Sequence, residues 1–262
     1  FSVGVMNDGS DAADDVYEFD NVLTGASVTA SATVATIGVD LKTPGGLADA
    51  LTLNLGGAAD MKVDTKIDVD AFETLNIATA GAKKVTIDDV DADAAKVINI
   101  TGTATDAVFT DISDIVAGTT VIDASTFAGK LTISEMGEAA KTIKGSIGAN
   151  DITTAAGGFA QANTYIGGAA TTDKLTTVAT QDQNAGLVNL TGFETLVLTT
   201  ENGNADDFTA DFRNVTGLTK ANLASGDNTD DLILNRLSSD TILSIDDTFA
   251  TVTLSLQSGT SH

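Results

Sequence analysis

Short apolar triplets separated by polar stretches set the pattern of this chain. Leu53-Asn54-Leu55, Leu75-Asn76-Ile77, Ile98-Asn99-Ile100, Val121-Ile122-Asp123 and Ile143-Lys144-Gly145 begin 22, 23, 23 and 22 residues apart. Tyr165-Ile166-Gly167 and Leu187-Val188-Asn189 continue the series at two further steps of 22. A second series, Val85-Thr86-Ile87, Leu131-Thr132-Ile133 and Leu175-Thr176-Thr177, runs out of phase at steps of 46 and 44. A triplet is too short to hold a core alone. Stacked on the triplet one period earlier, it gains parallel backbone hydrogen bonds and buries its apolar side chains against like neighbours. A fixed period of this length, built of strand-like units, predicts a solenoid.

The expected fold is therefore all-β: a parallel, β-helix-like solenoid of about 22 residues per coil, with coils about 4.8 Å apart. The competing reading is an antiparallel sandwich, whose strands also recur regularly; the direction of pairing separates the two. Residues 51–190 carry the ladder. Residues 1–50 are expected to supply leading strands, from the alternation between Val22 and Val39, before a turn at Pro44-Gly45-Gly46. Residues 191–262 are expected to continue the solenoid beyond a linker or inserted loop at Thr180–Gly186. Phe72-Glu73-Thr74-Leu75 recurs as Phe193-Glu194-Thr195-Leu196, 121 residues later, with each Phe expected to cap a coil corner.

Charge changes the picture from fold to chemistry. The net charge is −24, from 37 acidic and 13 basic residues. Six of the acids are Glu, so 31 are Asp. Asp favours turns and hard-cation loops, where a short side chain lets backbone carbonyls approach the same ion. Such a charge repels itself in a compact state unless cations neutralise it. It argues against nucleic acid, whose phosphates require Lys and Arg; Arg213 and Arg236 are the only arginines. No apolar run approaches the roughly 18 residues needed to span a bilayer. The chain has no Cys, and its one His is His262, which removes disulfides, Cys nucleophiles, Ser-His-Asp triads and His metal sites. The start at Phe1 and the tail Gly259-Thr260-Ser261-His262 read as those of a segment of a longer protein.

The sharpest local motif is Gly226-Asp227-Asn228-Thr229-Asp230-Asp231-Leu232-Ile233-Leu234. It follows the calcium-binding nonapeptide of β-helix repeats, with Asn228 at the second Gly position. Gly or Asn there tolerates left-handed backbone angles and turns a carbonyl toward the ion. Asp227, Asp230 and Asp231 supply carboxylates, and Leu232 anchors the loop in the core. Weaker copies place Asn150 and Asp151 in Ser146–Ile152, Asp106 in Gly102–Val108, Asp206 and Asp207 in Asn202–Phe208, Asp173 in Gly167–Leu175 and Asp60 in Gly56–Asp60. Positions 60, 106, 150 and 173 are 46, 44 and 23 apart, so the loops share the period of the strands. Asp8 and Asp11 form a further candidate near the start. For each weak copy the alternative is an ordinary Asp/Gly turn.

These motifs, with the acidic, Cys-free, Thr/Ala/Gly/Asp-rich composition, resemble the calcium-binding repeats-in-toxin (RTX) surface proteins of Gram-negative bacteria, and among them the S-layer proteins of the Caulobacter and Campylobacter type. The resemblance implies type I secretion, calcium-dependent folding outside the cell and self-assembly into a two-dimensional lattice. It also implies a separate region that holds lipopolysaccharide or a surface glycan. The tandem form is missing, since no two strict nonapeptides are consecutive. A calcium-stabilised adhesin is the second reading. A β-helix polysaccharide lyase or hydrolase is the third, with Arg213 its one candidate base; the absence of Trp and the presence of only Tyr17 and Tyr165 as tyrosines leave it little sugar-stacking surface. The chain is therefore read as no enzyme.

Overall fold

The computed structural model describes residues 2–5, 15–46, 48–81, 83–115, 120–136, 140–156, 163–179, 186–200, 208–224, 231–246 and 251–257. Its strands lie in two sheets, one of 12 and one of 11 strands, and successive strands along the chain alternate between them. Every described strand pairing is parallel and joins a strand to the one two places along. The fold is thus a parallel β-solenoid, each coil giving one strand to each sheet. Residues 1–50 and 191–262 contribute strands to the same two sheets as residues 51–190. No helix among the described residues is long and apolar enough to cross a membrane.

Inward positions alternate with outward ones along each strand, as in the buried-intermediate alternation of Thr74–Thr79. Stacking the inward positions makes continuous apolar columns. In the 12-stranded sheet, Leu51, Leu75, Ile98, Ile122, Ile143, Tyr165 and Leu190 lie in register and are 0–2% exposed. In the other sheet, Ile87, Phe109, Ile133, Ile152, Leu175 and Leu196 form the facing column. The steps along the first column, 24, 23, 24, 21, 22 and 25, average nearer 23 than 22.

The structure corrects several rungs of the expected ladder. Leu53 lies beside Ile77, and Leu51 takes the place beside Leu75. Val121 lies beside Val97, while Ile122 carries the buried column. Leu187 pairs with Asp211, and Leu190 sits beside Tyr165. Leu131 lies beside Asn150, so Leu175 belongs to the column of Ile133. The physical reason is the strand period. Leu51, Leu53 and Leu55 all point inward, so a slip of two residues exposes nothing apolar, and turn length alone selects the register.

The two Phe-Glu-Thr-Leu copies fall on opposite sheets, before strands Thr74–Thr79 and Thr195–Thr200. They mark equivalent corners half a coil apart in phase. Phe72 and Phe193 are both fully buried. Glu73 Oε2 accepts the backbone N–H of Asp49 at 2.9 Å, and Glu194 Oε2 that of Asp173 at 2.8 Å. Each Glu therefore reaches back one coil to satisfy a turn donor. Coils meet backbone to backbone at some corners: Gly102, at φ 115°, would place a Cβ 1.9 Å from Thr79 O. Both ends of the stack leave apolar side chains exposed, Val16 and Leu23 at one and Ile242, Leu254 and Leu256 at the other.

Candidate cation site and the carboxylate stacks

The expected loop residues separate into three groups. Gly226, Asp227, Asn228, Asp230, Asp206, Asp207, Asp8 and Asp11 lie outside the described residues. Asp231 opens the strand Asp231–Leu237, half-buried and paired with Thr251, and Leu232 is buried in the core as expected. The remaining candidates, Asn150, Asp151, Asp173, Asp106 and Asp60, have described positions.

Asn150 and Asp173 come together, one coil apart, at 1% and 0% exposure. Asp173 Oδ1 accepts the Asn150 backbone N–H at 2.8 Å and its Nδ2 at 3.0 Å. Asp173 Oδ2 accepts the Gly168 N–H at 2.7 Å. Asn150 Oδ1 accepts the Ser146 N–H at 2.7 Å and its hydroxyl at 3.1 Å, while Nδ2 donates to the carbonyls of Ser146 and Gly148. A Cβ on Gly168 would lie 1.6 Å from Ser146 O, so this close stacking requires glycine. The result is a rung of side chains that answers backbone donors at a corner. Its oxygens face N–H groups, and a metal ion would have to displace those hydrogen bonds. Asp151 points outward to Lys174, with Nζ 2.9 Å away.

Asp60 and Asp106 lie in a column of alternating charge. Lys84 donates its backbone N–H to Asp60 Oδ1 at 3.1 Å, and Asp106 is in register with Lys84 on one side and Lys130 on the other. Basic residues from the neighbouring coils therefore share this column with the aspartates.

The cluster that best suits a cation is one the motif reading missed. Carboxylate oxygens of Asp68, Asp70 and Asp91 all lie within 4.8 Å of one another. Asp68 and Asp91 are register partners on successive coils. Ala92 donates its backbone N–H to Asp114 O, so the backbone of a fourth aspartate follows on the next coil. Lys66 Nζ is 2.5 Å from Asp68 and 3.5 Å from Asp91, one cation among several anions. Burial raises the Asp70 pKa, and the charges of Asp68, Asp91 and Asp93 raise it further. Asp89 is raised by burial and by Asp111, Asp114 and Asp91, and its Oδ1 is buried with no hydrogen-bond partner among the described residues. Two like charges at this range repel by about 1 kcal/mol even at the dielectric of bulk water. Three carboxylates at a solvent-open corner are a hard-oxygen donor set that would suit calcium completed by water, with the Lys66 ammonium displaced from Asp68 and Asp91. The signal in the sequence is the repetition of Asp-x-Asp, at 68–70 and 91–93, at the coil period.

No protein-family model, no curated protein and no solved structure matches this chain.

Proposed function

We propose that this chain is a structural segment of a calcium-dependent surface-layer protein, a solenoid body whose folding and self-assembly into a lattice require divalent cations. The observation that carries the reading is the Asp68–Asp70–Asp91 cluster, like charges stacked at the coil period with a single lysine to offset them. Calcium bound there removes repulsion between coils and lowers the charge of a −24 body that must approach its neighbours closely. The RTX-like loop around Asp227 and Asp230 would add further ions. In this reading the parent protein is exported unfolded where calcium is scarce and folds at the cell surface. Lipopolysaccharide or surface glycan would be held by regions outside this chain, and no catalytic step is assigned to it.

Extracellular calcium modules dissociate at roughly 0.1–1 mM. At about ten times the dissociation constant, each site adds about 1.4 kcal/mol to stability. The test is the melting temperature in chelator, in millimolar calcium and in equal magnesium, followed by light scattering and negative-stain imaging of the intact parent protein. A rise specific to calcium, with ordered sheets, is expected. An unchanged melting temperature in chelator overturns the calcium reading. A parent protein that folds in calcium and stays monomeric at high concentration overturns the lattice and selects the adhesin.

A further inference from the structure

We propose that Arg213 and Arg236 form a binding site for a carboxylate group carried by another molecule. The chain's only two arginines converge on one side chain, Asp211, which is 3% exposed. Asp211 Oδ1 accepts the Arg213 backbone N–H at 3.1 Å and Arg236 Nε at 2.8 Å. Its Oδ2 accepts Arg213 Nε at 2.8 Å and an Nη2 from each arginine. A buried carboxylate needs one counter-charge. Among the described residues Asp211 is the one carboxylate paired with the two guanidiniums, so the trio carries a surplus positive charge on a protein of net −24.

The second arginine is brought there at a conformational cost. Arg236 has φ 59°, a left-handed angle unfavourable for a long side chain, at a register break between Leu234 and Leu237. This bulge sets Arg236 against Asp211 from the next coil. Asn21 has the same φ at the register break between Phe19 and Val22, so the angle belongs to the bulge; what it does here is bring a second guanidinium to an Asp211 that Arg213 alone would neutralise. The arginine side chains remain 50% and 46% exposed. Each guanidinium carries five N–H donors, and the bonds to Asp211 leave the Nη1 group of both without an acceptor among the described residues. Paired guanidinium edges match a carboxylate in two-pronged geometry. The surrounding negative charge disfavours extended polyanions, so a compact carboxylate fits best.

That carboxylate has two sources, a single exposed aspartate of a second copy of this chain or a free acid such as a uronic sugar. The proposal does not rest on the calcium reading: every arm is run at the same fixed millimolar calcium concentration, so any effect of calcium on folding is common to all of them. Two arginines give two Nε–H signals in a ¹⁵N spectrum, assigned with Arg213→Gln, which leaves Arg236 to pair with Asp211. Wild-type protein is titrated with sodium acetate, sodium galacturonate and, as control, sodium chloride at matched ionic strength. Both signals are expected to move together and saturate with the carboxylates but not with chloride. Arg213→Lys, which keeps the charge and loses the fork, is expected to bind about ten-fold more weakly. Movement of both signals on raising the protein concentration alone, weakened in Arg213→Lys, assigns the site to a second copy. Fixed positions on dilution with a saturable response to galacturonate assign it to a free acid. No response to either carboxylate beyond chloride, and none to protein concentration, overturns the proposal and leaves the pair as the counter-charge of Asp211.

Discussion

Asp173 and Asp70 stand at corners of the same solenoid and behave oppositely. Asp173 is fully buried, yet its carboxylate accepts two backbone N–H groups and an Asn150 amide, so the corner supplies the solvation that water gives elsewhere. Asp70 is far more exposed, yet its partial burial, and then the charges of Asp68, Asp91 and Asp93, raise its proton affinity. Burial alone therefore does not decide whether a stacked carboxylate holds this fold together. The donors facing it do. A corner that turns N–H groups inward uses Asp, Asn or Glu as structure, whereas a corner that stacks carboxylates on carboxylates stores repulsion that a cation can release.

The largest effect should come from a carboxylate given Asp173's burial without its donors. Leu75 is fully buried in an apolar column between Leu51 and Ile98. Leu75→Asp is expected to cost about 4 kcal/mol or more, and urea unfolding should show no cooperative transition at the wild-type midpoint. Removing the carboxylate from the saturated corner comes next. Asp173→Ala strands the donors of Asn150 and Gly168 and should cost about 3 kcal/mol; Asp70→Ala, in the same assay with calcium too low to fill the cluster, should cost nothing.

The two Phe-Glu-Thr-Leu corners sharpen the comparison within the saturated class. Glu73→Ala and Glu194→Ala each free one backbone N–H and should each cost about 1 kcal/mol, equal within about half that, although they act on opposite sheets. A clearly larger loss at one site would show that the corners are not equivalent.

Much of the fold was legible in the sequence. The coil period and the inward residues follow from apolar alternation repeated at nearly constant spacing, a pattern parallel stacking turns directly into columns. The register was not legible to better than two residues, because Leu51, Leu53 and Leu55 are interchangeable with respect to burial. At the candidate site, the spacing of 23 between Asn150 and Asp173 rightly placed them on adjacent coils. What they do there was hidden, because a turn of this composition can present either carbonyls or N–H groups to the side chain, and here it presents N–H groups. The Asp68–Asp70–Asp91 cluster escaped because it follows no calcium motif. Its acids look like solvated turn residues until the coil period superposes them.

The smallest expected effect, and the most direct reading of stored repulsion, is in the pH dependence of stability. Burial and neighbouring aspartates raise Asp70 and Asp89 above the ordinary value of about 3.9. The folded state then holds protons that the unfolded chain has lost, so these groups favour folding below about pH 3.9 and that benefit disappears as pH rises through their folded values. Asp123 is the opposite case. Burial pushes its pKa up, but the Lys144 ammonium, 2.7 Å away, and Ser125 outweigh burial and lower it. Its contribution is present above about pH 3.9 and is lost as pH falls through the lowered value. At calcium concentrations too low to fill the cluster, Asp70→Asn should remove part of the decline with rising pH and raise stability near neutrality by no more than about 0.5 kcal/mol, since the group is exposed and screened. Asp123→Asn should lower stability near neutrality by a similar amount. Denaturant midpoints between pH 3 and 7 distinguish the two. Calcium should then reverse the sign at Asp70 alone: where the ion neutralises the cluster, the carboxylate becomes an asset, and Asp70→Asn should melt below wild type at millimolar calcium. If calcium leaves the Asp70→Asn difference unchanged, the cluster is a repulsive stack that this protein tolerates, and its cation lies elsewhere.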